Sequence, residues 1–278
     1  MNTMKIAICQ LPNELSHDGL DWKRFVRRIE RAQPDVTVLN EIPFGPWISR
    51  EPAFDEYLAA ESIEAHAAAL PVLHDLPGAV IASRPVRNRD RLANEGFLLA
   101  GGSYRAVHHK QYFPQEPGFF EAAWFGSGRA GFETFDHAGV RFGMLLCTEI
   151  MFNEWARHYR RRGAQVIVLP RASGTSTAAW HTAARMAAIV SGCYVLSSNR
   201  VSTHLDDEPL FGGVGFAYSP TGDLLQETSD GLPLAVVEID LDLVKRAQRG
   251  YPCYVRELGD DLKAGTPHLS SAFDTLTI

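Results

Sequence analysis

The chain has 278 residues, 45% of them hydrophobic, enough for one large domain with a full core. Its 27 basic and 33 acidic residues are mixed rather than blocked and leave a net charge of −6. Nucleic acid and membrane surfaces are therefore not expected partners, and a small-molecule substrate is. Four cysteines, at 9, 147, 193 and 253, show no CxxC spacing and no nearby histidine cluster, so no disulfide framework, metal site or cofactor is expected, and the usage fits a reducing, cytoplasmic compartment. The first residues run into an apolar segment without a signal-peptide layout, and no apolar stretch approaches the span of a membrane helix.

In chain order, Met4 to Leu11 predicts a buried strand, and Trp22, Phe25, Val26 and Ile29 place a helix over 20–29. A second strand, Pro34 to Glu41, ends in an acid and is followed by Pro43, Gly45 and Pro46, which stop any helix. An alanine-rich helix over Glu51 to Leu73 and a strand over Gly78 to Ser83 come next. Glu95 to Lys110 then predicts a hairpin turning at Gly101-Gly102. Gln111 to Gly131, rich in Pro, Gly and aromatics, is expected to be a long functional loop over the sheet ends. After a turn at His137-Ala138-Gly139, the uncharged Met144-Leu145-Leu146 predicts a strand buried on both faces, with Cys147 at its carboxyl end.

From there the pattern restarts: helix over Phe152 to Arg162, strand over Ala164 to Pro170, helix over Thr177 to Gly192, strand over Cys193 to Asn199. A hairpin from Val214 to Glu227 and a strand over Leu234 to Leu241 follow. Two such halves without a linker predict one α/β domain in which two sheets pack together with helices outside, a four-layer α-β-β-α sandwich. A polar tail from about Leu258 is expected to wrap a neighbouring surface or subunit.

Singly, a buried cysteine is an ordinary small hydrophobe, and a charge at a strand end an ordinary solvated group. Together, Glu41, Lys110 and Cys147 each close an apolar run and are followed by a loop or helix, at the end of a sheet where ligands bind. A cysteine attacking a carbonyl or nitrile carbon needs a base for its thiol and fixed donors for the resulting oxyanion, and a carboxylate with an ammonium supplies both. Gly126 to Gly131 matches GxGxxG but precedes a strand rather than a helix and is rejected as a dinucleotide site. His108 and His109 are read as strand residues, and Cys9, Cys193 and Cys253 as packing.

The segments Asp35 to Pro43, Tyr104 to Lys110 and Leu145 to Glu149 resemble, in order, the glutamate, lysine and cysteine motifs of the nitrilase superfamily of carbon–nitrogen hydrolases. The resemblance runs from Met4 to about residue 260 and includes Ser198 to Arg200 and Phe211 to Gly222. Pro117 to Gly128 is similar to carbamoylputrescine amidase-type members. It implies Glu41 as general base, Lys110 as oxyanion holder, Cys147 as the nucleophile forming a thioester, and Glu121 as second active-site glutamate, with Glu116 as competitor. The Thr148 N–H, at the strand-to-helix turn, is expected to be a second oxyanion donor, and the resemblance implies a homodimer meeting near helix 152–162 and the tail. Arg171 departs from the small residue usual after the Pro170 position. Glu149 and Arg171 are the expected substrate-binding residues, Arg171 either pairing with Glu149 or another acid at the site rim or gripping a substrate carboxylate. Hydrolysis of a linear amide or N-carbamoyl group with release of ammonia is the leading expectation. Nitrile hydrolysis is the alternative, disfavoured by Cys147-Thr148-Glu149 where nitrile-cleaving members show Cys-Trp-Glu. A catalytically silent binding or regulatory protein is the alternative from another class.

Overall fold

The computed structural model describes residues 3–129, 131–203 and 210–256. Its first half runs β1 (Thr3–Pro12), α1 (Leu20–Ala32), β2 (Val36–Val38), α2 (Glu56–His74), β3 (Ala79–Asn88), β4 (Arg91–Ala100) and β5 (Ser103–His109). A four-residue helix, α3 (Glu121–Trp124), interrupts the following loop. The second half runs β6 (Phe135–His137), β7 (Val140–Met144), α4 (Glu154–Arg161), β8 (Val166–Arg171), α5 (Ala178–Ser191), β9 (Tyr194–Val201), β10 (Phe216–Tyr218), β11 (Leu224–Glu227), β12 (Leu234–Asp240) and α6 (Leu241–Arg249).

Side chains alternate faces along a strand, and that period sorts the core into layers. Ile6 and Ile8 of β1, Val36 and Val38 of β2 and Ile81 of β3 meet Phe142, Met144, Val166, Val168 and Leu196 of the second half in one cluster between the sheets. Ala7 and Cys9 point the other way, onto Trp22, Phe25 and Ile29 of α1 and Ala69 and Leu73 of α2. Ile167, Leu169 and Val195 likewise face Tyr159 of α4 and Ala184, Ala187 and Ala188 of α5, whose small side chains let the helix lie close to the sheet. The architecture is the four-layer α-β-β-α sandwich.

Each sheet has three parallel strands at its centre, β1-β2-β3 and β7-β8-β9, flanked by antiparallel neighbours. The halves share β1: Thr3 to Cys9 pair with β12, whereas Gln10 to Pro12 pair in parallel with Asn199 to Val201 of β9. The carboxyl ends of β2, β7 and β8 and the exit of β5 thus come together at one edge.

Several boundaries differ from expectation for physical reasons. Helix α2 starts at Glu56 because the Asp55 side chain accepts from the Tyr57 and Leu58 N–H groups, a cap that defines the start. Strand β2 stops at Val38: Leu39 N still donates to the Ile81 carbonyl, but Glu41 N donates to the Arg171 carbonyl instead of to a neighbouring strand of its own sheet, and Ile42 follows at φ of 43°, rare for a β-branched residue. The β3–β4 hairpin, turning at Arg89 with φ of 56°, and helix α6, capped by the Asp240 side chain, were not expected. The polar tail lies outside the described residues. Among those residues no helix is long and apolar enough to cross a membrane.

Gly143 of β7 lies under the ring of Tyr159, where an added Cβ would come within 2.6 Å of the ring, and the Tyr159 hydroxyl donates to the Met144 carbonyl. We expect Gly143→Ala to lower stability by about 1–3 kcal/mol through overpacking, read as a reduced urea midpoint; an unchanged midpoint would mean that the ring has room to move.

Candidate active site

Lys110 follows directly on β5, and its ammonium is buried between two carboxylates. Nζ donates to Glu41 Oε1 at 2.7 Å and to Glu121 Oε2 at 2.6 Å, and none of the three side chains is exposed. Glu41 Oε1 also accepts from Asn94 Nδ2 at 2.8 Å. The second oxygen of each acid, Glu41 Oε2 and Glu121 Oε1, is buried and has no hydrogen-bond partner among the described residues. An orphaned buried carboxylate oxygen costs of order 1–3 kcal/mol, more for a charged group, so two facing one lysine mark a site built to receive donors. Burial opposes the Lys110 charge, but Glu121 and then Glu41 outweigh it and hold the ammonium above the ordinary lysine range. Burial and the like charges of Glu41 and Glu149 push the Glu121 carboxyl up to about 8, against the pull of Lys110. Glu116 is exposed and exchanges backbone hydrogen bonds with Phe119, so of the two loop acids it is Glu121 that reaches the lysine.

Cys147 stands three residues past the end of β7, at the start of a 3₁₀ turn over Cys147–Met151, with a left-handed φ of 47°. Backbone strain of this kind collects where the surroundings over-determine a conformation. Its thiol points at the Ala172 carbonyl, 3.8 Å away. Burial and then the charge of Glu41 push the thiol well above its usual range, while Lys110 draws it down. The surroundings thus favour the neutral thiol. The Thr148 N–H opens the 3₁₀ turn, a position where a helical segment leaves its donors free. Cys9 and Cys193 are buried and pushed up to about 12 by burial, as packing thiols are.

Glu149 does not stand at a rim. It is fully buried and accepts from Leu146 N at 2.8 Å, from Gln111 N at 2.7 Å, and from His108 Nε2 at 2.7 Å. His108 Nδ1 accepts from the Phe132 N–H, which leaves Nε2 as the protonated nitrogen. Glu149 thereby ties the residue before Cys147 to the residue after Lys110. His109 pairs the opposite way, with Glu95 Oε2 at 3.1 Å, while its Nδ1 accepts from Arg129 N. These pairings and that of Asn94 were missed; the signal was three consecutive polar residues, His108-His109-Lys110, closing a strand.

Arg171 requires a correction. It neither pairs with Glu149 nor presents its fork to a substrate. The residue is fully buried; Nε donates to Ser197 Oγ at 2.7 Å, Nη1 to Ser173 Oγ at 2.9 Å and Nη2 to the Val214 carbonyl at 2.5 Å, and the guanidinium lies 4.5 Å from the Phe216 ring centroid. Strand parity explains it: Arg171 continues the Ile167 and Leu169 face of β8, toward the helices.

The carbon–nitrogen hydrolase family model matches residues 5–249. The N-carbamoylputrescine amidase of Solanum tuberosum is 28% identical over 170 residues, 56% of this chain and 57% of the relative, so the match spans just over half the length of that curated relative. The citrullinase of Francisella tularensis is 30% identical over 138 residues, 46% of this chain and 48% of the relative. Among solved structures, a carbon–nitrogen hydrolase from Helicobacter pylori superposes with a TM-score of 0.82 at 22% identity, over 94% of this chain and 98% of the other. An amidase from Nesterenkonia sp., described with the acetamide moiety of fluoroacetamide added covalently at its active-site cysteine, gives 0.74 at 19% identity over 95% and 97%.

Folded Glu121 keeps its proton up to about 8, whereas the ordinary value is 4.5. The folded state therefore binds more protons than the unfolded one between those values, and this group's contribution to stability is lost as pH rises through that window. We expect the stability of wild type relative to Glu121→Gln to be lower at pH 8 than at pH 5 in chemical denaturation. A gap that stays level or moves in favour of wild type would contradict the raised carboxyl.

Proposed function

The chain belongs to the carbon–nitrogen hydrolase family, and from that premise we propose that it hydrolyses the C–N bond of a linear amide or N-carbamoyl compound through a Cys147 thioester. The observation that carries this is the buried Lys110 ammonium held between Glu41 and Glu121, each with one oxygen unpartnered among the described residues.

In this mechanism Glu41 takes the thiol proton as the sulfur adds to the carbonyl carbon, which avoids forming a free thiolate in a site that disfavours it. The negative charge passes to the substrate oxygen, where Lys110 and the Thr148 N–H receive it. The C–N bond breaks as Glu41 returns the proton to nitrogen, with Glu121 positioning Lys110 and the departing amine. Water, deprotonated by Glu41, then attacks the thioester and expels the Cys147 sulfur, which takes that proton back from Glu41 as the acid or carbamate is released. The amidase and carbamoyl-cleaving names of the relatives support the substrate class.

An ammonia-release screen over linear amides, N-carbamoyl compounds and nitriles tests the reading. We expect turnover of the first two and its complete loss in Cys147→Ala, with far-UV dichroism unchanged. Turnover of nitriles alone would redirect the substrate class, and near-full activity in Cys147→Ala would overturn the mechanism.

We further propose that the protein works as at least a homodimer. Exposed Met151, Phe152, Tyr251 and Tyr254 flank the arginine-rich α4, whose Arg157 and Arg160 donate to the Val255 and Gln248 carbonyls. Light scattering at micromolar concentration should give at least twice the chain mass of 30.8 kDa; a monomer would sink the proposal.

A further inference from the structure

A fully buried arginine is costly unless its donors and its charge are used. Among the described residues Arg171 has no ion-pair partner, and every nitrogen of its guanidinium donates to the protein instead. The backbone that follows carries two contacts to the reacting groups: the Arg171 carbonyl accepts from the Glu41 N–H at 3.2 Å, and the Ala172 carbonyl faces the Cys147 thiol. One of the side chain's own acceptors, Ser173 Oγ, belongs to the same turn, and Ser173 N donates to Asn199 Oδ1 at 3.0 Å. Another, the Val214 carbonyl, sits on a β-branched residue at φ of 61° whose N–H is held by Gln10 Oε1.

We infer that Arg171 is a positioning residue: its guanidinium, strung between Ser197, Ser173 and the Val214 carbonyl, fixes the turn over 171–173 so that its two carbonyls set Glu41 and Cys147 relative to each other. This rests on the hydrolytic reading above for its consequence in turnover, but not for its geometry. The rings of Phe216 at 4.5 Å and Trp180 at 5.4 Å give the planar cation a slot that an ammonium fills poorly. Arg171 therefore touches no substrate, and neutral and acidic substrates depend on it alike.

The test compares wild type with Arg171→Lys, Arg171→Met and Ser173→Ala, the last removing a single acceptor so that an answer survives if Arg171→Met fails to fold. Two readouts are used: kcat and KM on a neutral amide and on a carboxylate-bearing amide, and the pH dependence of Cys147 alkylation by iodoacetamide, which needs no turnover. We expect kcat to fall about 10- to 100-fold in Arg171→Met, a misplacement of reacting groups of order 1 Å, equally on both substrates and with KM changed less than about threefold. Arg171→Lys and Ser173→Ala should lie between, and alkylation should slow in the same order with its pH midpoint moved upward. A loss confined to KM for the carboxylate-bearing substrate would assign Arg171 to substrate binding, and alkylation unchanged in the folded variants would remove it from positioning. If wild type turns over neither amide while alkylation still follows the series, the hydrolytic reading fails and the positioning role stands.

Discussion

A lysine ammonium without solvent can persist only where acceptors and an opposing charge surround it, since an unpaired charge in a protein interior costs several kcal/mol. Lys110 meets that condition through residues from three separate stretches: Glu41 after β2, Glu121 on α3 and, holding Glu41, Asn94 on β4. The loop over 111–131 is accordingly fastened at many points. Phe120 N donates to the Ser49 carbonyl, Gly126 N to the Leu92 carbonyl and Trp124 Nε1 to the Glu51 carbonyl. If the loop loosened, Glu121 would leave the lysine, and the buried ammonium would lose one of its two acid acceptors.

The end of β5 shows how a short sequence serves several directions at once. His108 reaches across to Glu149 in the second half, His109 turns to Glu95 on the adjacent strand, and Lys110, past the ladder, takes Glu41 and Glu121. Each imidazole also accepts an N–H from the segment over 129–132 through Nδ1, so each holds a defined tautomer. Two imidazoles and one ammonium thus fix the loop, the neighbouring strand and the cysteine turn.

The layers were legible because apolar alternation and helical spacing are local signals: Ile6 and Ile8 facing one way, Trp22, Phe25 and Ile29 in a stripe. Glu41, Lys110 and Cys147 stood out because each ended an apolar run. The β3–β4 hairpin was hidden because Arg84, Arg87 and Arg91 make its arms look polar, and pairing is a property of two segments together. The fate of Arg171 was hidden for a related reason. Its position at a strand end was readable, but the acceptors that occupy it lie at residues 173, 197 and 214, which meet only after the sheets have formed.

Strand β1 belongs to both sheets, handing its backbone from β12 to β9 between Cys9 and Gln10, where the Cys9 N–H is taken by Ser198 Oγ. Although the halves repeat one pattern, the seam between them runs through the middle of a strand rather than through a loop. A chimera joined at the midpoint of the chain would therefore inherit a first strand from one parent that must match ladders from both. A join in the surface turns at Gly101-Gly102 or Ala138-Gly139 still leaves β1 to pair with β9 and β12 of the other parent, so a compatible graft must carry β1 together with those two strands.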